Sequence, residues 1–459
     1  MPGVPSGKAC EACRKQKKKC DETKPSCSRC ARLNIPCIGS GQQRFKFKEE
    51  LGFQPNAKKG RNAGSKSGSR SPPEKALTPI PASPSSGTDL LASAWVGAIK
   101  GATDLRYNLG WSYGAYLYDI PQRLGRNEAL DISVDTLATA HSTFCSQGLV
   151  SVEGITKYSR ALSVLRTYLN DPIKARTPET LCAVSLLLIC QNFLGQPDLR
   201  FSGHAEGAVQ ILKARRHMTP QDDFEERILL SLRGPVLFEG LFNDRIQLSA
   251  QEWKDLIESA LDKSTSEGHM MRCLARLPVI MRRGRNTFEG DPVRIELRDE
   301  LRIQYETTKL IVEELGQRWG TLGPLDDNPP SIALRLHSHY QRMYALGLLV
   351  GIIINCVLSA FDTDNCETLM IDSTYYAAEI LALAPEATRY RPIGASYMAL
   401  CLMGAWAGTD DGDLRTLIEI ALNDYRSDFR GGMIPEGHLG NQLEQITDQM
   451  RSLTVEVSP

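Results

Sequence analysis

Six cysteines in the first forty residues constrain this chain more than anything that follows. Cys10, Cys13, Cys20, Cys27, Cys30 and Cys37 fall as C-x2-C-x6-C, a six-residue spacer, and C-x2-C-x6-C again. Each of the first three reappears 17 positions later, so the segment is an internal repeat. Beyond Leu33, Ile35 and Ile38 it holds almost no apolar side chains. A stretch this short and this polar cannot fold on a hydrophobic core and needs cross-links or a metal. Structural zinc contributes on the order of 10–16 kcal/mol in small modules of this kind. That is enough to order the segment alone, and chelation is expected to unfold it.

The opening MPGVPSGKAC lacks the apolar stretch of a secretory signal, and the chain contains no N-x-S/T glycosylation site. Its 13 cysteines therefore read as thiols and metal ligands of a reducing compartment, not as a disulfide framework or a thiol sink. Zinc takes four ligands in a tetrahedron, and thiolates suit it. Two Zn2+ per chain need eight ligand positions from six sulfurs, so two sulfurs must bridge. The repeat relates the bridging pair by 17 residues: Cys10 and Cys27, Cys13 and Cys30, or Cys20 and Cys37. Spacing alone does not choose among the three.

Charge separates the two halves that the cysteines make alike. The chain is neutral overall, with 54 Lys and Arg against 54 Asp and Glu, but residues 1–75 hold 18 against 6. Arg14, Lys15, Lys17, Lys18 and Lys19 lie between Cys13 and Cys20, whereas the stretch between Cys30 and Cys37 holds only Arg32. Two zinc ions and six thiolates sum to −2. Five cations exceed what that needs, and the excess is available to a polyanion. A short helix in the major groove can donate from Lys or Arg to guanine O6 and N7, so double-stranded DNA is the expected partner.

In the number and spacing of its cysteines, and in Pro25 two residues before Cys27, the segment resembles the fungal Zn2Cys6 binuclear zinc cluster transcription factors. The resemblance implies that Cys10 and Cys27 bridge, that Cys13 and Cys20 complete one zinc, and that Cys30 and Cys37 complete the other. It further implies base reading of a CGG triplet by Lys17 with Lys18 beside it, and phosphate contacts from Arg14 and Lys19. Lys15 belongs to the same DNA-facing run. Gln16 stands where many members carry Arg or Lys, which bears on half-site preference more than on binding. A nuclear protein regulating a metabolic or secondary-metabolite gene set through RNA polymerase II is the implied role, with Arg14–Lys19 and Lys58–Arg61 as nuclear-entry signals.

Residues 41–88 read as a disordered linker, dense in Gly, Ser and Pro and poor in apolar residues. Just after the cluster, Arg44, Phe45, Lys46, Phe47 and Lys48 alternate as a short extended piece or a solvated tether. From residue 89 to 459 the apolar pattern is helical, which makes the fold mainly α: a small cluster domain at 1–40, the linker, and a large all-α domain. Helices are expected over Leu90–Ile99, Leu137–Leu149, Tyr158–Leu169, Leu181–Leu194, Ala208–Leu212, Leu229–Leu241, Trp253–Leu261, Ile295–Trp319, Ile332–Phe361, Thr374–Leu383 and Ile393–Trp406. Start signals agree: Ser249 with Glu252, Thr177 before Pro178, Asp291 before Pro292, and the acidic run Asp410–Asp413. The size leaves room for two packed helical subdomains. The run Tyr344–Phe361 is long enough to span a membrane, but Asn355 inside it and its polar flanks favour a buried core helix, with no membrane partner.

Fragments between Trp111 and Arg216 resemble the fungal transcription factor regulatory region: Arg123–Asp131, Tyr158–Arg166, Pro178–Thr180 and Gly203–Arg215. The implied role is regulation through partners, autoinhibition or metabolite sensing, with transcription machinery or co-regulators as partners. Nothing in the body spells catalysis, so the chain reads as no enzyme; a ligand-sensing or enzymatic body with an accessory cluster is the alternative. His204-Ala205-Glu206 has the H-x-E of zinc deaminases without the P-C-x-x-C that should follow. His337 and His339 are two apart and would diverge on a helix. The other seven cysteines read mostly as core residues. No sustained heptads follow the cluster, so homodimerisation, if it occurs, falls to the helical body.

Overall fold

The helix starts written into the sequence are the places where the backbone turns helical. Thr177 accepts from the Thr180 N–H at 3.3 Å and opens α7, Pro178–Phe193; Asp291 accepts from Val293 at 2.8 Å and opens α12, Pro292–Leu322. Ser249 and Glu252 exchange bonds of 3.2 and 2.7 Å around the start of α10, Ala250–Glu258. Asp411 takes the N–H groups of Asp413 and Leu414 and starts α16, Gly412–Ser427. Each cap satisfies N–H groups that the helix itself cannot, worth about 1 kcal/mol.

The structure, a computed structural model, describes residues 5–6, 9–38, 44–45, 86–100, 104–147, 151–194, 203–215, 220–243, 245–258, 264–285, 287–326 and 329–429. The chain divides into two units, residues 1–78 and 79–459. The first holds α1, Glu11–Lys15, and α2, Ser28–Arg32, and a two-residue antiparallel ladder of β1, Pro5–Ser6, against β2, Arg44–Phe45. The ladder makes the start of the Arg44–Lys48 stretch part of this unit, where the sequence left a solvated tether open. Apart from Arg44–Phe45 and its last three positions, the linker over 41–88 lies outside the described residues.

All the regular secondary structure in the described residues of the second unit is helical. α5, Glu128–Gln147, packs against α3, Gly87–Lys100, α6, Val152–Leu169, and α7; α7 continues onto α8, Gly203–Arg215, and α9, Asp223–Phe242. Further along, α13, Ser331–Ser359, is flanked by α11, Ser266–Gly284, α12, α14, Cys366–Ala387, and α15, Tyr397–Ala407. α7 and the second half of α13, from Met343 onward, are apolar nearly all round because they are enclosed nearly all round. α13 has the length and hydropathy to cross a membrane, yet 83% of its most apolar window is buried among these helices. It is the core helix that Asn355 and the polar flanks favoured.

The possibility of two subdomains is not realised. One continuous core runs from Trp95 on α3 to Tyr425 on α16. Across its middle the Trp111 indole donates to Ser338 at 3.2 Å, Arg342 donates to the Trp111 carbonyl at 3.3 Å, and Phe144 stacks on Phe429 at 5.4 Å. Two of the regulatory-type fragments, Arg123–Asp131 and Pro178–Thr180, also meet. Arg123 pairs with Glu179 and Asp222 and covers the Phe224 ring, Asn127 donates to Thr177 and Thr180, and buried Arg215 pairs with buried Glu225.

Candidate metal centre and nucleic-acid interface

The cysteine repeat folds as a repeat. α1 ends at Lys15 and the chain reverses through Lys17, at φ 53°, so that the Lys18 N–H closes onto the Cys13 carbonyl at 2.8 Å. Seventeen residues on, α2 ends at Arg32, Asn34 takes φ 49°, and the Ile35 N–H closes onto the Cys30 carbonyl at 3.1 Å. Both are left-handed helix ends of the Schellman type. Asn tolerates that conformation; Lys does so at a steric cost of about 1 kcal/mol. The Glu11 N–H bonds the Ile38 carbonyl at 3.0 Å and joins the two ends of the unit.

These turns carry all six sulfurs inward. Cys10, Cys13, Cys27 and Cys30 are fully buried, Cys20 and Cys37 partly. Two sets of four form within which every sulfur lies within 4.8 Å of the others: Cys10, Cys13, Cys20 and Cys27, and Cys10, Cys27, Cys30 and Cys37. Cys10 and Cys27 belong to both sets. Sγ–Sγ separations are 3.7 Å for Cys10–Cys27, 3.6 Å for Cys10–Cys30 and 3.8 Å for Cys13–Cys27. A tetrahedron with Zn–S bonds of about 2.3 Å has edges of about 3.8 Å, whereas a disulfide needs about 2.05 Å. The residues present fit a two-zinc centre, and zinc is its cofactor.

Backbone donors repeat with the same offset. The Cys10 N–H points at Cys20 Sγ at 3.4 Å and the Cys27 N–H at Cys37 Sγ at 3.3 Å; Cys13 N–H and Cys30 N–H meet Cys10 and Cys27 sulfurs at 3.5 and 3.4 Å. The Cys10 N–H holds the Cys20 thiol down at about 7, and the Cys27 N–H lowers Cys37 in the same way. Burial pushes Cys30 well above the ordinary thiol range. Thiolates packed this closely repel one another, and a cation between them is what makes the arrangement stable.

The cationic run lies outside the sulfur cage. Lys15, Gln16, Lys17, Lys18 and Lys19 are exposed at and just beyond the end of α1; Arg14 lies on α1, and its side chain is outside the described residues. Lys15 pairs with Glu11 one turn back at 3.1 Å. Gln16 is not free-standing: its Oε1 accepts from Arg29 Nη2 at 2.5 Å, while Arg29 Nη1 lies 3.9 Å from Cys13 Sγ. Sequence reasoning missed Arg29, which the repeat places opposite Ala12 and the tertiary fold places against Gln16 in the cationic run. It missed Asp21 as well, whose carboxylate accepts from the Ser28 N–H at 3.1 Å and from the Ser28 hydroxyl, which hold it below its ordinary pKa. An acid directly after Cys20 and before a Ser-started helix was the available signal.

The body residues considered for chemistry are placed apart. His337 is buried, bonds the Tyr390 hydroxyl at 2.8 Å and meets the Trp319 ring edge at 4.5 Å; His339 lies against Tyr340. The side chain of His204 is outside the described residues. Cys182, Cys190, Cys273, Cys356 and Cys401 are buried, Cys366 is half-buried, and Cys145 is exposed beside His141 at 3.4 Å.

Residues 8–46 match the family model described as the fungal Zn(2)-Cys(6) binuclear cluster domain, a match that ends short of the helical body. No curated protein and no solved structure matches the chain.

Proposed function

We propose that this chain, a zinc-binding protein with a fungal Zn(2)-Cys(6) DNA-binding domain at its head, is a sequence-specific transcription factor acting on RNA polymerase II genes. The observation that carries the reading is one juxtaposition: two four-sulfur sets sharing Cys10 and Cys27, with an exposed cationic run on the turn that leaves them. In this reading Cys10 and Cys27 bridge two zinc ions, Cys13 and Cys20 complete the first, and Cys30 and Cys37 complete the second. The metals supply rigidity, fixing α1 and its following turn as a unit that enters the major groove without a hydrophobic core.

Lys17 and Lys18 then read guanines of a CGG-type half-site, while Arg14, Lys15 and Lys19 hold phosphates, which position without specifying. Gln16, tied to Arg29 through its carbonyl oxygen, keeps its NH2 to donate to a base edge or phosphate. The cluster domain at 1–40 acts from a tether, residues 41–88, and the helical body at 89–459 is the regulatory part. Contact between the Arg123–Asp131 and Pro178–Thr180 fragments, through Arg123 to Glu179 and Asn127 to Thr180, supports treating that part of the body as one unit. Homodimerisation through the body, contacts with transcription machinery or co-regulators, action in the nucleus and a metabolic or secondary-metabolite gene set complete the proposal.

The test is fluorescence anisotropy of the full chain on a CGG-containing duplex and on a scrambled duplex of equal length. The reading predicts at least about tenfold tighter binding to the CGG duplex, in line with specific over non-specific recognition. Equal affinity for the two duplexes would overturn sequence-specific reading. Mapping of bound genomic sites with transcript changes after deletion identifies the genes and the direction of control.

A further inference from the structure

Helix α6 carries two apolar faces, and the body uses one of them. Gly154, Ala161 and Leu165 are buried where α6 packs on α5 and α7. Roughly a third of a turn round the helix, Val152, Ile155, Ser159, Leu162, Arg166 and Leu169 follow at steps of three and four, the a and d spacing of a coiled coil. All six are exposed, Val152 at 81% and the leucines at 36 and 37%. Ile173, 82% exposed, keeps the step of four just past the helix end. The charged side is separate: Lys157 pairs with Glu153 at 3.2 Å and with Asp135 of α5 at 2.9 Å. A surface helix facing one core needs a single apolar stripe. α6 displays a second along its length of about 27 Å.

Val152, Ile155, Leu162, Leu169 and Ile173 together expose roughly 500 Å2, within the about 300–600 Å2 of the largest apolar patch on a typical monomer, which is often functional. Two copies laid face to face on this stripe remove about 1,000 Å2 from water, the level at which specific interfaces begin. The order of residues along the stripe is complementary to itself read backwards. With a two-fold axis between Ser159 and Leu162, Val152 meets Leu169, Ile155 meets Arg166 and Ser159 meets Leu162. The small serine leaves room for the leucine, and the arginine stem lies along the isoleucine with its guanidinium in water. A parallel pair would instead set Arg166 against Arg166. Thr156, Ser163 and Asn170, beside the stripe, are uncharged, so two copies approach without like-charge repulsion.

We infer that α6 is the face on which two copies of this chain pair, antiparallel across a two-fold axis. The inference names the surface of the homodimer proposed above and rests on that reading. A partner of another kind would leave the reverse-order match of the stripe without a cause. An interface at the low end of the specific range is micromolar in strength, so concentration decides whether the chain is monomer or dimer. The dimer carries two cluster domains, and once one is on DNA the second binds at a raised effective concentration.

Sedimentation equilibrium of the full chain without DNA, across the micromolar range, is the test. The wild type should pass from monomer to dimer within that range, and Ser159→Glu and Leu162→Glu should remain monomeric. Ser159→Leu should dimerise about tenfold more tightly or better, because each copy buries a further leucine. Ile155→Glu should dimerise about fivefold more tightly than Ile155→Gln, since the acid faces Arg166 of the second copy. In a parallel pair it would face its own like and be the weaker of the two. The three positions are exposed, and circular dichroism with zinc content verifies that each variant keeps its fold. A dimer that Ser159→Glu and Leu162→Glu leave intact would overturn this face while leaving homodimerisation through the body standing. A wild type that stays monomeric throughout would overturn both. Ile155→Glu weaker than Ile155→Gln would overturn the antiparallel pairing.

Discussion

Replacing Lys17 by Asn separates what that residue does for the fold from what it does for DNA. Lys17 occupies the left-handed turn at φ 53° that lets Lys18 close onto Cys13, and the repeat places Asn34 at φ 49° in the equivalent turn. Asn is thus the residue the chain itself uses for this backbone. Lys17→Asn should leave zinc content unchanged and stability within about 0.5 kcal/mol, or slightly higher, because Asn enters this region more readily than Lys. What it removes is an exposed ammonium. If that group donates to a guanine, the loss is about 1–3 kcal/mol, roughly a 5- to 150-fold weaker Kd for the CGG duplex. Non-specific affinity changes far less. The assay is anisotropy at a fixed salt of about 0.15 M, where the Debye length is near 8 Å, on CGG and scrambled duplexes. A CGG affinity within twofold of wild type, with zinc retained, would refute the assignment of base reading to Lys17.

Three further outcomes follow from the same geometry. Cys10→Ser, which removes a sulfur common to both four-sulfur sets, should cost both zinc ions, whereas Cys20→Ser should cost one; mass spectrometry under native conditions counts them. Arg29→Ala frees Gln16 and should reduce discrimination between CGG and scrambled duplexes by about 0.5–1.5 kcal/mol, the net worth of a hydrogen bond, without loss of zinc. In the body, burial lowers the pKa of His141, His337 and His339, so the unfolded chain binds more protons below its ordinary histidine pKa of about 6.5. Stability is therefore full above that pH and is lost as pH falls below it. Melting temperature should drop as pH falls below about 6.5, and His337→Gln should flatten the slope.

The cluster was legible in the sequence because cysteine spacing is itself the geometry: two C-x2-C-x6-C units admit few ways to gather six sulfurs. The turn at Lys17 was not legible, since nothing in a run of lysines marks a left-handed residue; only Asn34 in the second half hinted at it. Arg29 was missed because its partner, Gln16, is 13 residues away and in the other half of the repeat. In the body, α7 and α13 were visible as long apolar runs, and the cap of α7 was visible as Thr177-Pro178. α5 begins at Glu128, nine residues before the apolar pattern that announced it, because its first turns bury Ala129, Leu130, Ser133 and Val134 among polar neighbours. α11 was missed although Met270, Leu274, Leu277 and Met281 recur at helical spacing, because Pro278 sits inside the helix and arginines are interleaved with the stripe. α16 was announced by its Asp411 cap but not by its own weakly apolar text.

The zinc carried by the full chain, and the DNA binding that zinc supports, are the two quantities that decide whether a two-zinc head reads DNA. Elemental analysis of the purified protein, paired with anisotropy on the CGG duplex before and after chelation, measures both together. Two zinc ions per chain, with DNA binding lost as the metal is removed and regained on adding zinc back, is the predicted result. A single zinc per chain, or DNA binding that survives complete removal of metal, would contradict it.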